Sequence, residues 1–412
     1  MPTDPRTDGA NVLAFPQAPE AIELRQLRAF VAVAEELNFS RAADRLHISQ
    51  SALSRQISAL EKLIGCDLLR RSTHRVELTL AGEALLERTR SLLEGFDEAV
   101  STTQSVGGEL AFRLAQYWAP VFASADPGIS LVERRAAIVG LFAQFPPPEG
   151  IEVAPVNAGG VASFRIGPDV GIPATVIYLH GGGHTFGSSY GHRGVIGAVA
   201  VAAGVTALAP EYRLAPEHPF PADLEDAERA YGWMVSNGVD PSRIVIAGDS
   251  SGASLGMALL LSLRAKGEPM PGGAVWFCPW VDITGSTLRI ASRTNELAET
   301  MAGLVLPLVD DYLAGHPIDE PLLNPLQQDL SGMPPMLIQG ATGDPQHEDA
   351  HQLTERARAH GVDARLELYP VETHSFQTFW SFLPEAREAV EQAGRFITPI
   401  AAGRGYSAAG VG

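Results

Sequence analysis

Residues 244–262 read Ile-Val-Ile-Ala-Gly-Asp-Ser-Ser-Gly-Ala-Ser-Leu-Gly-Met-Ala-Leu-Leu-Leu-Ser, and this stretch decides the fold. Ile244, Val245, Ile246 and Ala247 make a short unbroken apolar run, the mark of a strand buried on both faces. An Ala/Leu-rich helical stretch begins after Gly252. Between the two, glycine stands two residues to either side of Ser250. A sharp strand-to-helix turn needs that spacing, because the serine is strained and its flanks are crowded. Such a turn presents the hydroxyl at the end of a sheet, so Ser250 is a nucleophile candidate. Ser251 would offer its backbone N–H beside it.

Working outward, short apolar runs recur at 176–179, 205–209, 273–277, 336–339 and 365–369, with helical patterns between most of them. Alternation of this kind predicts a mostly parallel sheet with helices on both faces. Three more of these strand ends carry chemistry. His180-Gly-Gly-Gly183 follows the first run, and such a loop can turn N–H groups toward a developing oxyanion. Asp344 lies in a turn past 336–339, and His374 past 365–369. In this order, Ser250, Asp344 and His374 match the arrangement of an α/β-hydrolase, with histidine as base and the carboxylate fixing its tautomer. Asp349 is the rival acid; Asp344 is preferred because it lies nearer the strand end.

The chain has 412 residues and a net charge of −18, with 45% hydrophobic residues, so a mainly disordered protein is excluded and more than one domain fits. The charge is uneven. Residues 22–80 hold 9 Arg/Lys against 7 Asp/Glu, whereas 101–412 hold 18 against 33. Only the front of the chain can meet a polyanion. Two distant cysteines, Cys66 and Cys278, make no disulfide framework and suit a reducing cytoplasm. The N-terminus has no signal-peptide pattern, and the uncharged run 194–210 is shorter than the ~20 residues a membrane helix needs. That run is expected to be a helix leading into a buried strand. No His/Asp/Glu metal spacing, phosphate loop or dinucleotide fingerprint is found, so no cofactor and no metal are expected.

The front domain has its own pattern. Ala42, Ala43 and Leu46 give one short helix an apolar face, Ile48 plugs a turn, and Ser49 can cap the next helix. Leu53, Ile57 and Leu60 point that helix inward, leaving Gln50, Ser51, Ser54 and Arg55 outward. Amide, hydroxyl and guanidinium groups on such a helix can reach base edges and phosphates in a major groove. By pattern alone, a plain helical hairpin fits equally well.

Family resemblance favours DNA. Residues 22–105, through "LRAFVAVAEELNFSRAADRLHISQSALSRQISALEKLIG" and "LLRRSTHRVELTLAGE", resemble the DNA-binding domain and linker helix of LysR-type transcriptional regulators. The resemblance implies a winged helix-turn-helix with recognition helix 50–60, a wing at 71–76 with Arg71 and Arg75 facing phosphate, and a homodimer through helix 81–104. The usual effector domain of that family is missing. Residues 112–400 instead resemble the hormone-sensitive-lipase group of α/β-hydrolases, in "YLHGGG", "EYRLAPEHPFPADLEDAERAYGWM", "GDSSGAS", "CPWVDIT" and "THSF". That resemblance implies a Ser250, Asp344, His374 triad and an oxyanion hole of Gly181, Gly182 and Ser251. It departs at Ser251, where alanine is common, and at Ser375, where glycine is common; neither removes a reacting atom.

The expected organisation is a tail (1–20), a winged helix-turn-helix (21–80), a linker helix (81–108) ended by Ser105-Val-Gly-Gly108, a helical lid (109–150), the α/β-hydrolase domain (151–402) and a tail (403–412). Tyr117, Trp118, Phe122, Phe142 and Phe145 are expected to line an acyl pocket. The expected function is a cytoplasmic LysR-like DNA-binding module fused to a serine esterase for small esters or lactones. One alternative is a transcription regulator whose hydrolase fold mainly senses a small molecule with little turnover. In another, the front domain merely dimerises the enzyme.

Overall fold

The structure, a computed structural model, describes residues 22–71, 75–123, 126, 128–293 and 296–405. The expected tail 1–20 lies outside the described residues, as does 406–412 of the expected C-terminal tail. The chain divides into two compact units, Met1–Glu109 and Leu110–Gly412.

The first unit holds helices α1 (Leu24–Glu36), α2 (Phe39–Arg45) and α3 (Gln50–Ile64), then strands β1 (Leu69–Arg71) and β2 (Val76–Leu78), paired antiparallel. Each helix starts or ends where the side chains dictate. The Asn38 side chain accepts from the Ser40 and Arg41 amides to cap α2, Ser49 accepts from the Ala52 amide to cap α3, and Gly65 closes α3 at φ +84°. Phe30, Val33, Ala42, Leu53, Ile57 and Leu60 pack into one apolar core.

Helix α4 (Leu80–Ala123) departs from expectation. It runs through Ser105-Val-Gly-Gly108 without stopping, and the boundary between the two units falls within it. Glycine in a helix costs roughly 1 kcal/mol but ends it only by turning left-handed. Neither Gly107 nor Gly108 has positive φ.

In the second unit, α5 (Leu131–Ala143) precedes a hairpin of β3 (Glu152–Ala158) and β4 (Val161–Gly167). Then come β5 (Val176–Leu179), α6 (Arg193–Ala203), β6 (Ala207–Pro210), α7 (Ala222–Ser236), β7 (Val245–Asp249), α8 (Ser251–Lys266) and β8 (Gly273–Phe277). The chain ends through α9 (Ser286–Ala291), α10 (Glu296–Leu313), β9 (Met336–Ala341), α11 (His347–Ala359), β10 (Ala364–Tyr369) and α12 (Pro384–Ala401). The eight strands lie in the order β10-β9-β8-β7-β5-β6-β4-β3. All pairs are parallel except β4 with β3 and with β6.

Alternating side chains feed two cores. Ile177, Leu179, Ile246 and Trp276 pack with α7, α8 and α11 on one face. Val176, Tyr178, Val245 and Phe277 pack with α6 and α12 on the other. Burial on both faces explains why these strands read as unbroken apolar runs. The run 194–210 is the expected helix and buried strand, α6 and β6. No helix among the described residues is long and apolar enough to cross a membrane.

Candidate functional site

The turn between β7 and α8 holds Ser250 at φ 52° and ψ −122°, a conformation that L residues rarely adopt. Its neighbours enforce it. The Ser250 amide donates to the Phe277 carbonyl at 3.0 Å, and the Ser250 carbonyl accepts from the Trp280 amide at 3.1 Å. A Cβ on Gly252 would collide with the Leu179 carbonyl, and one on Gly248 would press on Gly252. The glycine spacing seen in the sequence is therefore a packing requirement.

His374, on the loop after β10, and Asp344, on the turn after β9, meet: Nδ1 lies 2.6 Å from Asp344 Oδ2. Asp344 is buried and its other oxygen accepts from the Gln346 amide at 3.0 Å. Burial works against a charged His374, but the charge and hydrogen bond of Asp344 more than offset it, and the imidazole pKa is raised. His374 Nε2 is buried and has no hydrogen-bond partner among the described residues, so it makes no bond with the Ser250 hydroxyl. The loop carrying His374 is pinned by Trp118, whose indole N–H donates to the Thr373 hydroxyl at 2.8 Å. Cys278 Sγ lies within 4.8 Å of ligand atoms of both Asp344 and His374.

Asp349 is occupied elsewhere. Its Oδ2 accepts from the Val281 and Asp282 amides, each at 2.9 Å, and its Oδ1 from the Thr287 hydroxyl at 2.6 Å. Burial pushes its pKa up to about 6, against the pull of those donors. It ties α11 to the segment 281–287.

The glycine loop corrects one expectation. The Gly181 amide, expected as an oxyanion donor, is already bonded to Asp249 Oδ1 at 3.0 Å. That bond already engages its single proton with a carboxylate. Gly182 and Gly183, at φ +130° and +62°, have amides with no partner among the described residues. Ser251 opens α8, where first-turn amides have no partner within the helix. Nothing in a run of three glycines says which amide is taken, because the partner of Gly181 is 68 residues away.

Of the expected pocket aromatics, Tyr117 packs edge-on against Phe145, Phe145 against Phe379, and Phe142 stacks on His192 at 3.8 Å between centroids. These three hold helices together. Trp118 and Phe122 stack on each other at 5.9 Å.

In the first unit, Gln50, Ser51 and Arg55 are exposed on α3, and Ser54 is half-buried. Gln50 accepts from the Ser40 hydroxyl at 3.3 Å, and the Ser51 and Ser49 hydroxyls lie 3.1 Å apart. Arg75 forms an ion pair with Glu77 at 3.1 Å. The Arg71 side chain lies outside the described residues.

Comparison with known proteins fits both halves. Residues 176–378 match the alpha/beta hydrolase fold model, and residues 24–83 match the bacterial regulatory helix-turn-helix protein model of the lysR family. An acetyl-hydrolase of Streptomyces hygroscopicus is 39% identical over 224 residues, which is 54% of this chain and 75% of that one. An esterase of Acinetobacter venetianus is 30% identical over 261 residues, 62% of this chain and 85% of that one. A crystal structure of an esterase from the bacterial hormone-sensitive lipase family aligns with TM-score 0.63 and 34% identity, over 70% of this chain and 98% of that one. The chain belongs to the hormone-sensitive-lipase family of esterases. It is a carboxylic ester hydrolase with a LysR-family helix-turn-helix in front. Another aligned structure, EstE5 soaked with p-nitrophenyl butyrate, has 32% identity and TM-score 0.63, covering 70% of this chain and 98% of that one.

Proposed function

We propose that the chain hydrolyses small esters or lactones through an acyl-enzyme on Ser250. His374 Nε2 takes the Ser250 proton as the hydroxyl attacks the carbonyl carbon. Asp344 keeps the imidazole proton on Nδ1 and stabilises the imidazolium that forms. The amides of Gly182, Gly183 and Ser251 receive the oxyanion. The imidazolium then protonates the leaving alkoxide, and water repeats the sequence to release the acid. The hydrogen bond between Ser250 and His374 forms within this cycle; such contacts are often loose before substrate binds.

The observation that carries this reading is the joint presence of a positive-φ Ser250 on the turn after β7 and a His374–Asp344 pair at 2.6 Å on the loops after β10 and β9. The relatives named above support a short acyl group. The test is hydrolysis of p-nitrophenyl acetate and small lactones by wild type and by Gly183→Ala, which adds a methyl where Leu308 packs. A large loss is expected, and wild-type rates would contradict the oxyanion assignment.

The first unit is proposed to bind double-stranded DNA as a homodimer paired through the α4 segment 81–104. Exposed Gln50, Ser51 and Arg55 at the start of α3 support base contact, and an excess of positive charge over 22–80 supports phosphate contact. Its test is a salt-dependent mobility shift with the full chain. No shift at low salt would leave a dimerisation role instead.

A further inference from the structure

Beneath the glycine loop lies a group of buried polar side chains that the proposed cycle does not use: Tyr178, His180, His192, Tyr212 and Asp249. Asp249 is the residue immediately before Ser250. Its Oδ1 accepts from the Gly181 amide and from the Tyr178 hydroxyl, each at 3.0 Å. A carboxyl group bonded in sequence to the nucleophile is thereby bonded in space to the loop opposite it. The approach is so close that a Cβ on Gly181 would collide with the Asp249 carboxyl group. The two peptide planes that follow are held as well, since the Gly181 carbonyl lies 2.8 Å from His180 Nδ1 and the Gly182 carbonyl accepts from the Phe186 amide at 2.8 Å, so the bond to Asp249 fixes the end of the loop from which the next two amides are aimed.

We infer that Asp249 is a positioning residue of the oxyanion hole: by holding the Gly181 amide it sets the aim of the Gly182 and Gly183 amides at Ser250. The inference rests on the roles proposed above for Ser250 and those amides.

The second carboxyl oxygen shows that this role is geometric. Asp249 Oδ2 has no hydrogen-bond partner among the described residues and lies 3.8 Å from His192 Nε2. His192 Nδ1 is 2.9 Å from the Ser188 carbonyl, which can only accept, so Nδ1 carries the proton and Nε2 presents a lone pair. Burial lowers His192 to about 4, which leaves the ring neutral at neutral pH. Burial raises the Asp249 carboxyl above its ordinary value, and an ionised oxygen facing a lone pair gains nothing there to offset that. Asparagine, with an acceptor toward Gly181 and a donor toward His192, fits this place as well as aspartate does.

The full chain and three variants test this: Asp249→Ala, Asp249→Asn and Asp249→Leu. A fluorophosphonate probe is first used on the wild type; if Ser250 is not labelled, the nucleophile assignment fails before the positioning role is reached. Each variant is then measured for kcat and KM on p-nitrophenyl acetate and for inhibition by an alkylboronic acid, which forms a tetrahedral anion on serine. Asp249→Ala is expected to lose about 100-fold in kcat, as a misaimed oxyanion donor does, with KM nearly unchanged and boronate affinity falling in parallel. Asp249→Asn is expected to recover to within about tenfold of wild type, because it keeps the acceptor. Should alanine leave a cavity that unfolds the chain, Asp249→Leu, of similar size and without an acceptor, is expected to show the same losses. Wild-type kcat and boronate affinity in a folded Asp249→Ala or Asp249→Leu would overturn the inference. So would an Asp249→Asn as slow as they are, because that outcome would point to charge.

Discussion

Replacing Asp344 by asparagine isolates what the carboxylate does for His374. The side chain is buried and accepts two hydrogen bonds, from His374 Nδ1 at 2.6 Å and from the Gln346 amide at 3.0 Å. Asparagine can keep only one acceptor. With its oxygen on the Gln346 amide, its NH2 faces His374 and drives the imidazole proton from Nδ1 to Nε2. Nε2 then has no lone pair for the Ser250 proton. The same substitution in the trypsin triad lowers kcat about 10⁴-fold, so a loss of about 10³ to 10⁴ is expected here with little change in fold. The assay is p-nitrophenyl acetate hydrolysis beside thermal unfolding, with Asp349→Asn as the companion. Asp349 accepts two amides and a hydroxyl, so its asparagine variant should lose stability while keeping most of its kcat. The reasoning is refuted if folded Asp344→Asn retains more than about a tenth of wild-type kcat, far above the triad precedent. It is equally refuted if folded Asp349→Asn is the slower of the two.

Further outcomes follow from the same geometry. His374 is raised above its ordinary 6.5, and it acts as base only when neutral. A plot of kcat/KM against pH should fall on the acid side through that raised value, and Asp344→Asn should move the limb lower. Stability runs the other way: the contribution of the charged pair is complete below 6.5 and is lost as pH rises through the raised value, which urea midpoints across pH will show. Acyl-chain preference should be short, since a modest pocket excludes chains of roughly 14 carbons or more; a p-nitrophenyl ester series checks it. Arg55→Ala should weaken specific DNA binding by about 1–3 kcal/mol in a titration and leave ester hydrolysis unchanged.

The central strands were legible because each is buried on both faces. The runs 176–179 and 273–277 match β5 and β8 end for end. The hairpin β3–β4 was not seen. Pro155 argues against a strand, yet β3 is the edge of the sheet, where a missing N–H is tolerated. Gly159-Gly160, both at positive φ, is the turn that closes the pair. The stop expected at Gly107 and Gly108 failed because composition cannot reveal whether a glycine turns left-handed. At the site, strand ends marked Ser250, Asp344 and His374, since chemistry gathers where strands of an open α/β sheet end. Gly181 was misread for a different reason. Which amide of the loop is free depends on Asp249, a contact across the sheet that local sequence does not encode.

The central claim, that this regulator-like chain is a serine esterase working through Ser250, is tested most directly by p-nitrophenyl acetate hydrolysis in wild type and Ser250→Ala. Ser250 is the only side chain proposed to bond the acyl group. Wild type should turn over, and a folded alanine variant should lose several decades of rate, keeping only what binding and the oxyanion amides supply. Hydrolysis by Ser250→Ala within about tenfold of wild type would contradict the account, because no acyl-enzyme could then be the route.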